Sequence, residues 1–385
     1  MNDYATERPV SSEADSDCVA LAQELIRIQS VNPPGGEYPC VSLLGSLLKS
    51  AGMTVHSYEF EPGRPSIVAT APGTDDVPPL CFTGHVDVVP LGNEPWSVDP
   101  FAGVIRDGKL YGRGSSDMKC GVAAFVTATI SKLREGKKLR RGIKLVITAG
   151  EETGCQGAFH LVNSDALGDC SLLVVAEPSS NEPIIAHKGS LRIRVDVHGR
   201  TAHSSMPELG DNAIEAVADM ISALRRHAFS HHHELLGGTS TCVSLIEGGM
   251  NINSVPDFAS FSVDFRTVPS HSHTELLADV AALLGERAQI SVITDFPGFA
   301  TAKDDPALEG LVDIITEQLG RTPEFRGAPY FTDASALVPG FAGVAAVVLG
   351  PGEVEQCHRT DEFCFVGNIE KSHAIYQAII DKHCR

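Results

Sequence analysis

Histidine and carboxylate residues follow apolar, strand-like segments of the sequence. In residues 80–90, His85 and Asp87 come at the end of such a segment. Because strand side chains alternate between two faces, these two residues are expected to point the same way. A metal-ligating histidine usually donates its second ring N–H to a carboxylate, so this spacing suits a metal site. The alternative interpretation is a His–Asp hydrogen bond at a surface turn.

Further candidate ligands follow other apolar segments or lie where a loop meets a helix. Two adjacent glutamates follow the predicted strand 144–148, and one follows 172–176. Adjacent carboxylates at the end of a buried strand are costly unless a positive charge lies beside them. Asp117 could instead cap a helix, and the adjacent glutamates could be a surface pair. The collected residues are His85, Asp117, Glu151, Glu152, Glu177 and His358.

These residue types indicate a metal-dependent hydrolase. Imidazole and carboxylate ligands suit zinc or a similar divalent ion. The set is too large for one tetrahedral ion, but it suits two ions about 3.5–4 Å apart that share a carboxylate. One acid must stay unbound to accept a proton from the attacking water. Spacing alone does not identify that acid.

The elements that must position these residues alternate between strands and helices, which predicts an α/β sheet with sites at strand ends. The pattern predicts helices at 18–28, 38–51 and 122–133, and strands at 54–60, 66–70, 80–86, 144–148, 172–176 and 344–349. An Asp-Gly turn at 107–108 predicts a hairpin. Residues 1–15 are expected to form a mobile tail.

Residues 184–296 have a different pattern. Their order of strand, helix, strand, strand, helix and strand predicts a ferredoxin-like module. Because this module separates Glu177 from His358, it is predicted to be inserted into the catalytic domain. The tract 231–233 contains three histidines, which we interpret as a solvated helix end rather than a metal site.

Composition narrows the class of protein. A chain of 385 residues favours two domains. The formal charge of −19 argues against nucleic acid or an anionic membrane as a partner. Ten cysteines without a Cys-x-x-Cys pair favour reduced thiols in a cytoplasm. The polar N-terminus predicts no signal peptide, and no apolar run is long enough to span a membrane.

The motifs together resemble one enzyme family. They are FTGHVDVVP at 82–90, LYGRGSSDMK at 110–119, GEETG at 150–154, AEP at 176–178, GRTAHSS at 199–205, LGPG at 349–352 and HRTDE at 358–362. The sequence is similar to the di-zinc deacylase and exopeptidase family of acetylornithine deacetylase, succinyl-diaminopimelate desuccinylase, aminoacylase and carboxypeptidase G. These matches occur in order over nearly the whole chain, which makes the joint resemblance specific.

The resemblance implies a zinc-exopeptidase-like α/β catalytic domain, with helices on a mixed sheet, formed by 1–185 and 297–385. Residues 186–296 are then an inserted ferredoxin-like (βαββαβ) lid and dimerisation domain. The resemblance also implies a cis peptide bond after Asp117. The implied metal is a pair of zinc ions, with cobalt or manganese as substitutes.

The same resemblance implies a role for each residue of the candidate site. Asp117 bridges the two ions, and Glu151 is the general base. Asp87 is the carboxylate that supports His85. The implied ligand sets are His85, Asp117 and Glu177 for one ion, and Asp117, Glu152 and His358 for the other.

Residues outside the ligand set are implied to bind the substrate. His203 resembles the family histidine that reaches the active site of the partner chain in a homodimer and stabilises the oxyanion. Arg266 resembles an arginine that binds the substrate carboxylate, although an ordinary salt bridge is an equal alternative. Asn253 resembles a substrate-loop residue, with a turn role as the alternative. Thr332 and Asp333 resemble a substrate loop.

We therefore predict a cytoplasmic amidohydrolase of amino-acid biosynthesis that acts on a small N-acyl amino acid, releasing a carboxylate and a free amine. Glu151 would take a proton from water and pass it to the leaving amine. The motifs at 187–189 and 349–352 are most similar to acetylornithine deacetylase, and 177–180 is also compatible with the desuccinylase. The alternative is a dipeptidase or glutamate carboxypeptidase on the same di-metal site. The acyl group and side chain stay open at this stage.

Overall fold

The computed structural model describes residues 17–385, so the predicted tail at 1–15 lies outside the described residues. The chain divides into two compact units. The first contains the described residues up to Ile185 together with Thr301–Arg326 and Thr332–Arg385, and the second contains Ala186–Ala300 and Gly327–Phe331. The inserted domain was predicted to end at residue 296, and the corresponding segment of the second unit ends at Ala300. Residues 299–300 stay with the second unit because they pair with Ala186 and His187.

The first unit is built on a mixed sheet. The strands of this sheet in the first unit include β1 Thr54–Glu61, β2 Arg64–Ala71, β3 Leu80–His85, β6 Ile143–Thr148, β7 Leu172–Val175 and β17 Ala346–Val348. A separate three-stranded sheet contains β4 Val104–Arg106, β5 Lys109–Tyr111 and β18 Phe363–Phe365. The helices of the unit are α1 Cys18–Arg27, α2 Tyr38–Ser50, α3 Cys120–Arg134, α4 Gln156–Asn163, α7 Leu311–Leu319, α8 Ala334–Gly340 and α9 Val366–Cys384. Strands β8 Ile184–His187 and β16 Arg326–Ala328 include residues at which the chain passes between the units.

The centre of this sheet is parallel. The strand order is β1-β2-β6-β3-β7-β17-β8, and β3 pairs in parallel with both β6 and β7. Every residue of β3 and β6 is buried, as expected for strands covered on both faces. The Phe82 ring lies 6.0 Å from Phe125 of α3 and 5.3 Å from Tyr376 of α9, so these helices cover that face. Gly84 leaves room for α3, because a Cβ there would lie 2.9 Å from the Val122 side chain.

The second unit has an antiparallel sheet with two long helices. Its elements are β9 Gly189–His198, α5 Ala213–Arg226, β10 His232–His233, β11 Gly237–Gly238, β12 Ser240–Gly248, β13 Phe258–Thr267, α6 His273–Leu284, β14 Ala288–Phe296 and β15 Phe299–Ala300. The order β12-β13-β9-β14 confirms the predicted ferredoxin-like arrangement. Alternating buried residues of β9 pack against apolar residues of α5 and α6. Asn212 caps α5, and Ser272 with Glu275 forms a capping box at α6.

The histidine tract does not end a helix, so that prediction was wrong. Helix α5 already ends at Arg226, and β10 pairs with β11 in a short hairpin. Gly237 supplies the positive φ at this hairpin. The His231 ring packs edge-on against His271, with 4.2 Å between ring centroids.

Among the described helices, none is both long and apolar enough to cross a bilayer.

Candidate metal centre

The candidate ligands gather where three adjacent parallel strands end. Strand β3 ends at His85, β7 ends two residues before Glu177, and β6 ends shortly before Glu151 and Glu152. Because β6, β3 and β7 are parallel neighbours, their carboxyl ends lie along one edge of the sheet. A fourth neighbour, β17, leads into the loop that carries His358. The fold therefore brings together residues that are far apart in sequence.

Asp117 lies in a tight turn before α3 and is not the N-cap of that helix. The N-cap is Lys119, and the Asp117–Met118 peptide bond is cis, in agreement with the family resemblance. Asp117 Oδ1 lies 3.1 Å from His85 Nε2, and its Oδ2 lies 3.4 Å from His358 Nε2. One carboxylate oxygen thus faces each histidine, which is the arrangement required of a bridging ligand.

The remaining ligands extend this arrangement on both sides. Glu177 Oε1 lies 3.7 Å from His85 Nε2, and Glu152 Oε2 lies 3.1 Å from His358 Nε2. The five side chains therefore form two groups that share Asp117, with one imidazole in each group. Asp117 and Glu152 raise the pKa of His358 to about 10. Two carboxylates beside one imidazole therefore favour positive charge at this position.

The donor set fits divalent metal ions. Two imidazoles and three carboxylates match the ligands that zinc accepts. Glu152 Oε1 is buried without a hydrogen-bond partner among residues 17–385, which is costly unless a cation satisfies it. Burial raises the pKa of Glu177 well above its usual value, and neighbouring Asp117 raises it further against the opposite effect of His85. A nearby cation would offset that cost of charged carboxylates.

Asp87 contacts both His85 and the two adjacent glutamates. His85 Nδ1 lies 2.9 Å from the main-chain oxygen of Asp87 and 3.6 Å from its carboxylate. The carboxylate also accepts the N–H groups of Glu151 and Glu152, at 3.2 and 3.1 Å, and the Asn32 amide at 2.8 Å. Asp87 therefore holds the glutamate backbone, while its carbonyl supports the histidine.

This contact places a proton on His85 Nδ1. A carbonyl oxygen only accepts hydrogen bonds, so Nδ1 must be the donor. Burial opposes a second proton on Nε2, but Glu177 and Asp117 raise the pKa of His85 well above its usual value, and a metal ion would replace that proton and leave the Nδ1–H tautomer. That tautomer is the one a metal ligand needs.

Glu151 stands apart from the five ligands. Within the described residues it makes no ion pair with either histidine, and its Oε1 lies 3.8 Å from Cys155 Sγ. Burial raises the pKa of Glu151 well above its usual value, with His85 acting in the opposite direction and Glu177 adding to the rise. An unligated carboxyl with a raised pKa suits a general base.

The residues predicted to bind substrate have local partners. Three belong to the second unit. His203 is exposed, with Nδ1 2.8 Å from Ser205 Oγ. Arg266 donates to Asp264 at 3.1 Å, and this salt bridge is the alternative that the sequence analysis considered beside substrate binding. The Asn253 N–H donates to a neighbouring asparagine side chain at 3.2 Å, as in a turn. In the first unit, Thr332 is buried and accepts the Ala334 N–H at the start of α8.

Two buried acids next to the site, Asp333 and Glu362, were not predicted from the sequence to contact the candidate ligand segments. Asp333 accepts from Thr148 Oγ1 at 2.5 Å, and its ligand atoms lie within 4.8 Å of those of Glu151 and Cys155. Burial raises the pKa of Asp333 to about 6. Glu362 accepts from main-chain N–H groups around Asp117. For Glu362, the signal available in the sequence was its place four residues after His358.

A polar cavity adjoins the metal centre within the first unit. Its volume is about 720 Å³, and His358 contributes to its wall. The charged lining residues are Glu94, Arg106, Arg359 and Asp361. A cavity lined by both cationic and anionic side chains suits a polar or zwitterionic small molecule better than an apolar one.

Curated relatives match nearly the full chain. A protein of Staphylococcus epidermidis named probable succinyl-diaminopimelate desuccinylase is 30% identical over 406 residues, covering 96% of this chain and 99% of that protein. An acetylornithine deacetylase of Erwinia tasmaniensis is 30% identical over 360 residues, covering 89% and 90%.

Solved structures share the fold. An aminopeptidase of Bacillus cereus superposes with a TM-score of 0.76 at 24% identity, covering 96% of this chain and 98% of that one. A dinuclear metal binding peptidase of Bacillus subtilis gives a TM-score of 0.71 at 14% identity, covering 97% and 99%. The model of peptidase family M20/M25/M40 matches residues 81–382, a range that includes every candidate ligand. The chain therefore belongs to peptidase family M20/M25/M40.

Proposed function

We propose that this metallohydrolase uses two zinc ions to remove the acyl group from a small N-acyl amino acid. The observation that carries the proposal is the sharing of Asp117 between two ligand groups. His85 and Glu177 would hold one ion with Asp117, and Glu152 and His358 would hold the other. The names of the two curated relatives support a deacylase.

Glu151 is the proposed general base. When bound, the ions would acidify water and polarise the amide carbonyl. Glu151 takes a proton from the attacking water and delivers it to the amine nitrogen as the amide bond breaks. Asp87 accepts the main-chain N–H groups of both Glu151 and Glu152, which fixes the backbone of these two residues. Burial of the base keeps bulk water away from this proton transfer.

The substrate is proposed to carry charged groups at its amino-acid end. The cavity beside His358 contains both Arg106 and Arg359, whose guanidinium groups can bind a carboxylate. Arg266, Asn253 and Thr332 are kept as proposed substrate-binding residues on the family resemblance.

A homodimer formed through the second unit is also proposed. Strand β12 is an edge of the antiparallel sheet and is exposed along nearly all its length. Its Leu245 and Ile246 side chains are 63% and 61% exposed. An exposed apolar edge strand readily pairs with a second chain. In such a dimer, His203 would supply the oxyanion donor to the partner chain, as the resemblance implies.

A reducing cytoplasmic location is proposed with this function. The ten cysteines, all within the described residues, are unpaired, and most are buried. Proteins with such thiols are typical of reducing compartments.

A peptidase remains the second candidate, because the structural relatives named above are peptidases. The test measures zinc-dependent release of free amine from N-acetylornithine, N-succinyl-diaminopimelate and an unblocked dipeptide. We expect kcat/KM for at least one acyl amino acid to exceed that for the dipeptide by about tenfold or more, a difference of about 1.4 kcal/mol in transition-state binding. A clear preference for the dipeptide would instead establish the peptidase.

A further inference from the structure

A buried ion pair lies next to the ligand-bearing segments without belonging to the ligand set. Arg113 Nη1 lies 2.7 Å from Glu362 Oε2. The two residues are 1% and 0% exposed. Burying both charges is costly, and replacing such pairs by apolar residues is often neutral or stabilising. Stability alone therefore does not explain this pair, and its remaining contacts show what it holds.

Glu362 holds the turn that carries Asp117. Its Oε1 accepts the main-chain N–H groups of Ser116 and Asp117, at 2.8 and 3.0 Å. Its Oε2 accepts the Gly114 N–H at 3.0 Å in addition to Arg113. One carboxylate therefore binds three main-chain donors in a turn of four residues. These bonds fix the backbone from which the proposed bridging ligand projects.

Arg113 connects the same carboxylate to two other segments. Its Nη1 donates to the Arg359 main-chain oxygen at 3.1 Å, directly after His358. Its Nη2 donates to the Pro90 main-chain oxygen at 3.2 Å, in the segment that follows His85. The planar guanidinium makes these bonds in fixed directions, which a lysine ammonium cannot reproduce. The Trp96 ring packs 5.2 Å from the guanidinium carbon.

A close approach tightens the connection between these segments. A Cβ at Gly352 would lie 2.2 Å from the Ser116 main-chain oxygen. The loop before His358 therefore passes directly against the Asp117 turn, and only glycine fits there. Ser116 Oγ also donates to the Phe363 main-chain oxygen at 2.7 Å. The Asp117 turn is therefore packed against the loop before His358 and is also hydrogen-bonded to the residue after Glu362.

We propose that Arg113 and Glu362 are positioning residues for the candidate ligands. They would set the spacing of His85, Asp117 and His358, and thereby the affinity of the site for its two metal ions. This inference rests on the proposed di-metal function. Neither side chain ligates an ion or touches the reacting atoms. Outer partners of metal ligands commonly change metal affinity by about 10–100-fold when they are removed.

The test compares three variants as full chains. Glu362→Gln keeps the size but weakens the acceptor, and Arg113→Lys keeps the charge but loses the fork. The control is Asp381→Asn, which breaks the Lys132–Asp381 pair, 2.6 Å long, at the far end of α3 from Asp117. Zinc stoichiometry, zinc affinity by chelator competition and the visible spectrum of the cobalt-loaded protein are measured. The fold is checked by circular dichroism of the metal-free protein.

We expect both site variants to bind zinc about 10–100-fold more weakly and to show an altered cobalt spectrum, while the control matches wild type. Wild-type affinity and spectrum in a folded Glu362→Gln protein would overturn the inference. If that variant does not fold, unchanged affinity and spectrum in Arg113→Lys would overturn it. A wild-type protein that binds fewer than two ions contradicts the proposed function itself, whereas two ions with unaffected variants contradict only the positioning role.

Discussion

The two oxygens of Asp117 and the tautomer of His85 define the chemistry at the scale of single residues. Each Asp117 oxygen faces a different histidine, and the carbonyl of residue 87 holds the Nδ1 proton of His85. Nε2 of both histidines therefore faces carboxylates at the centre of the site. This arrangement favours positive charge there, which a divalent cation would supply.

The adjacent glutamates should separate by role. Glu151→Gln is expected to retain two ions and lose turnover by about 10²-fold or more, because the base is removed while the ligands stay. Glu152→Gln is expected to lose one ion, because Glu152 contacts His358. Metal analysis and kcat on the two purified variants check both statements. Equal loss of metal in the two variants would show that the base is misassigned.

The ligand types were predictable from the sequence, but the partners of those ligands were not. Histidine and acids after apolar segments could be recognised by position. Asp87 was expected to lie beside the His85 ring, and its carboxylate lies 3.6 Å from Nδ1. Its hydrogen bonds to the backbone of residues 151 and 152 had no signal in the sequence, because they join segments far apart in the chain.

At the scale of elements, three parallel strands explain why the site can exist. The ends of β6, β3 and β7 lie side by side, so each strand brings a candidate ligand to the same edge of the sheet. Apolar runs bounded by polar residues made these strands predictable. The histidine hairpin β10–β11 was not predictable, because a two-residue strand has no period.

The exposed edge β12 should carry the dimer contact. Ile246→Lys is expected to shift the protein toward monomer, because a charge would be buried in the proposed pairing. Ile293→Lys on the opposite edge strand β14 is the matched control, since that side chain is 56% exposed in the same sheet. Sedimentation velocity at several concentrations distinguishes them. Equal effects of the two variants, or none, would count against β12 as the interface.

Strand β8 contains a buried titratable group that should make stability depend on pH. Burial lowers the pKa of His187 from 6.5 to about 4. Its stabilising neutral form is fully present above pH 6.5, and the contribution is lost as the pH falls toward 4, because the unfolded chain binds the proton first.

The size of that effect follows from the shift. Between pH 6.5 and 4 the free energy of unfolding of the metal-free wild type should fall by roughly 3 kcal/mol more than that of His187→Gln. Urea unfolding at a series of pH values measures the difference. Parallel pH profiles of the two proteins would contradict the assigned pKa.

At the scale of the whole molecule, the chain forms two compact units, and all the candidate metal ligands belong to the first. The sequence predicted both units because the ferredoxin-like pattern interrupts the ligand series between Glu177 and His358. The predicted second boundary lies at 296/297, and the short strand β15 groups residues 299–300 with the second unit. The pairing partner of so short a strand is set by tertiary structure.

A dimer with shared sites predicts complementation. His203→Ala should keep both ions but lose about 10²–10³ in rate, the usual cost of one oxyanion donor. Mixing it with Glu151→Gln chains should restore about a quarter of wild-type activity, because half the dimers are mixed and one of their two sites is intact. Subunit exchange is verified by mass measurement of tagged chains. Activity no higher than that of the separate variants after exchange would place His203 outside the partner's site.

Zinc titration of the metal-free protein tests the two-ion site most directly. Bound zinc and the rate of amine release from an N-acyl amino acid are followed together as zinc is added. The shared Asp117 predicts binding that approaches two ions per chain, with full activity reached only as the second site fills. Full activity at one ion per chain, with no further binding, would contradict the two-ion site.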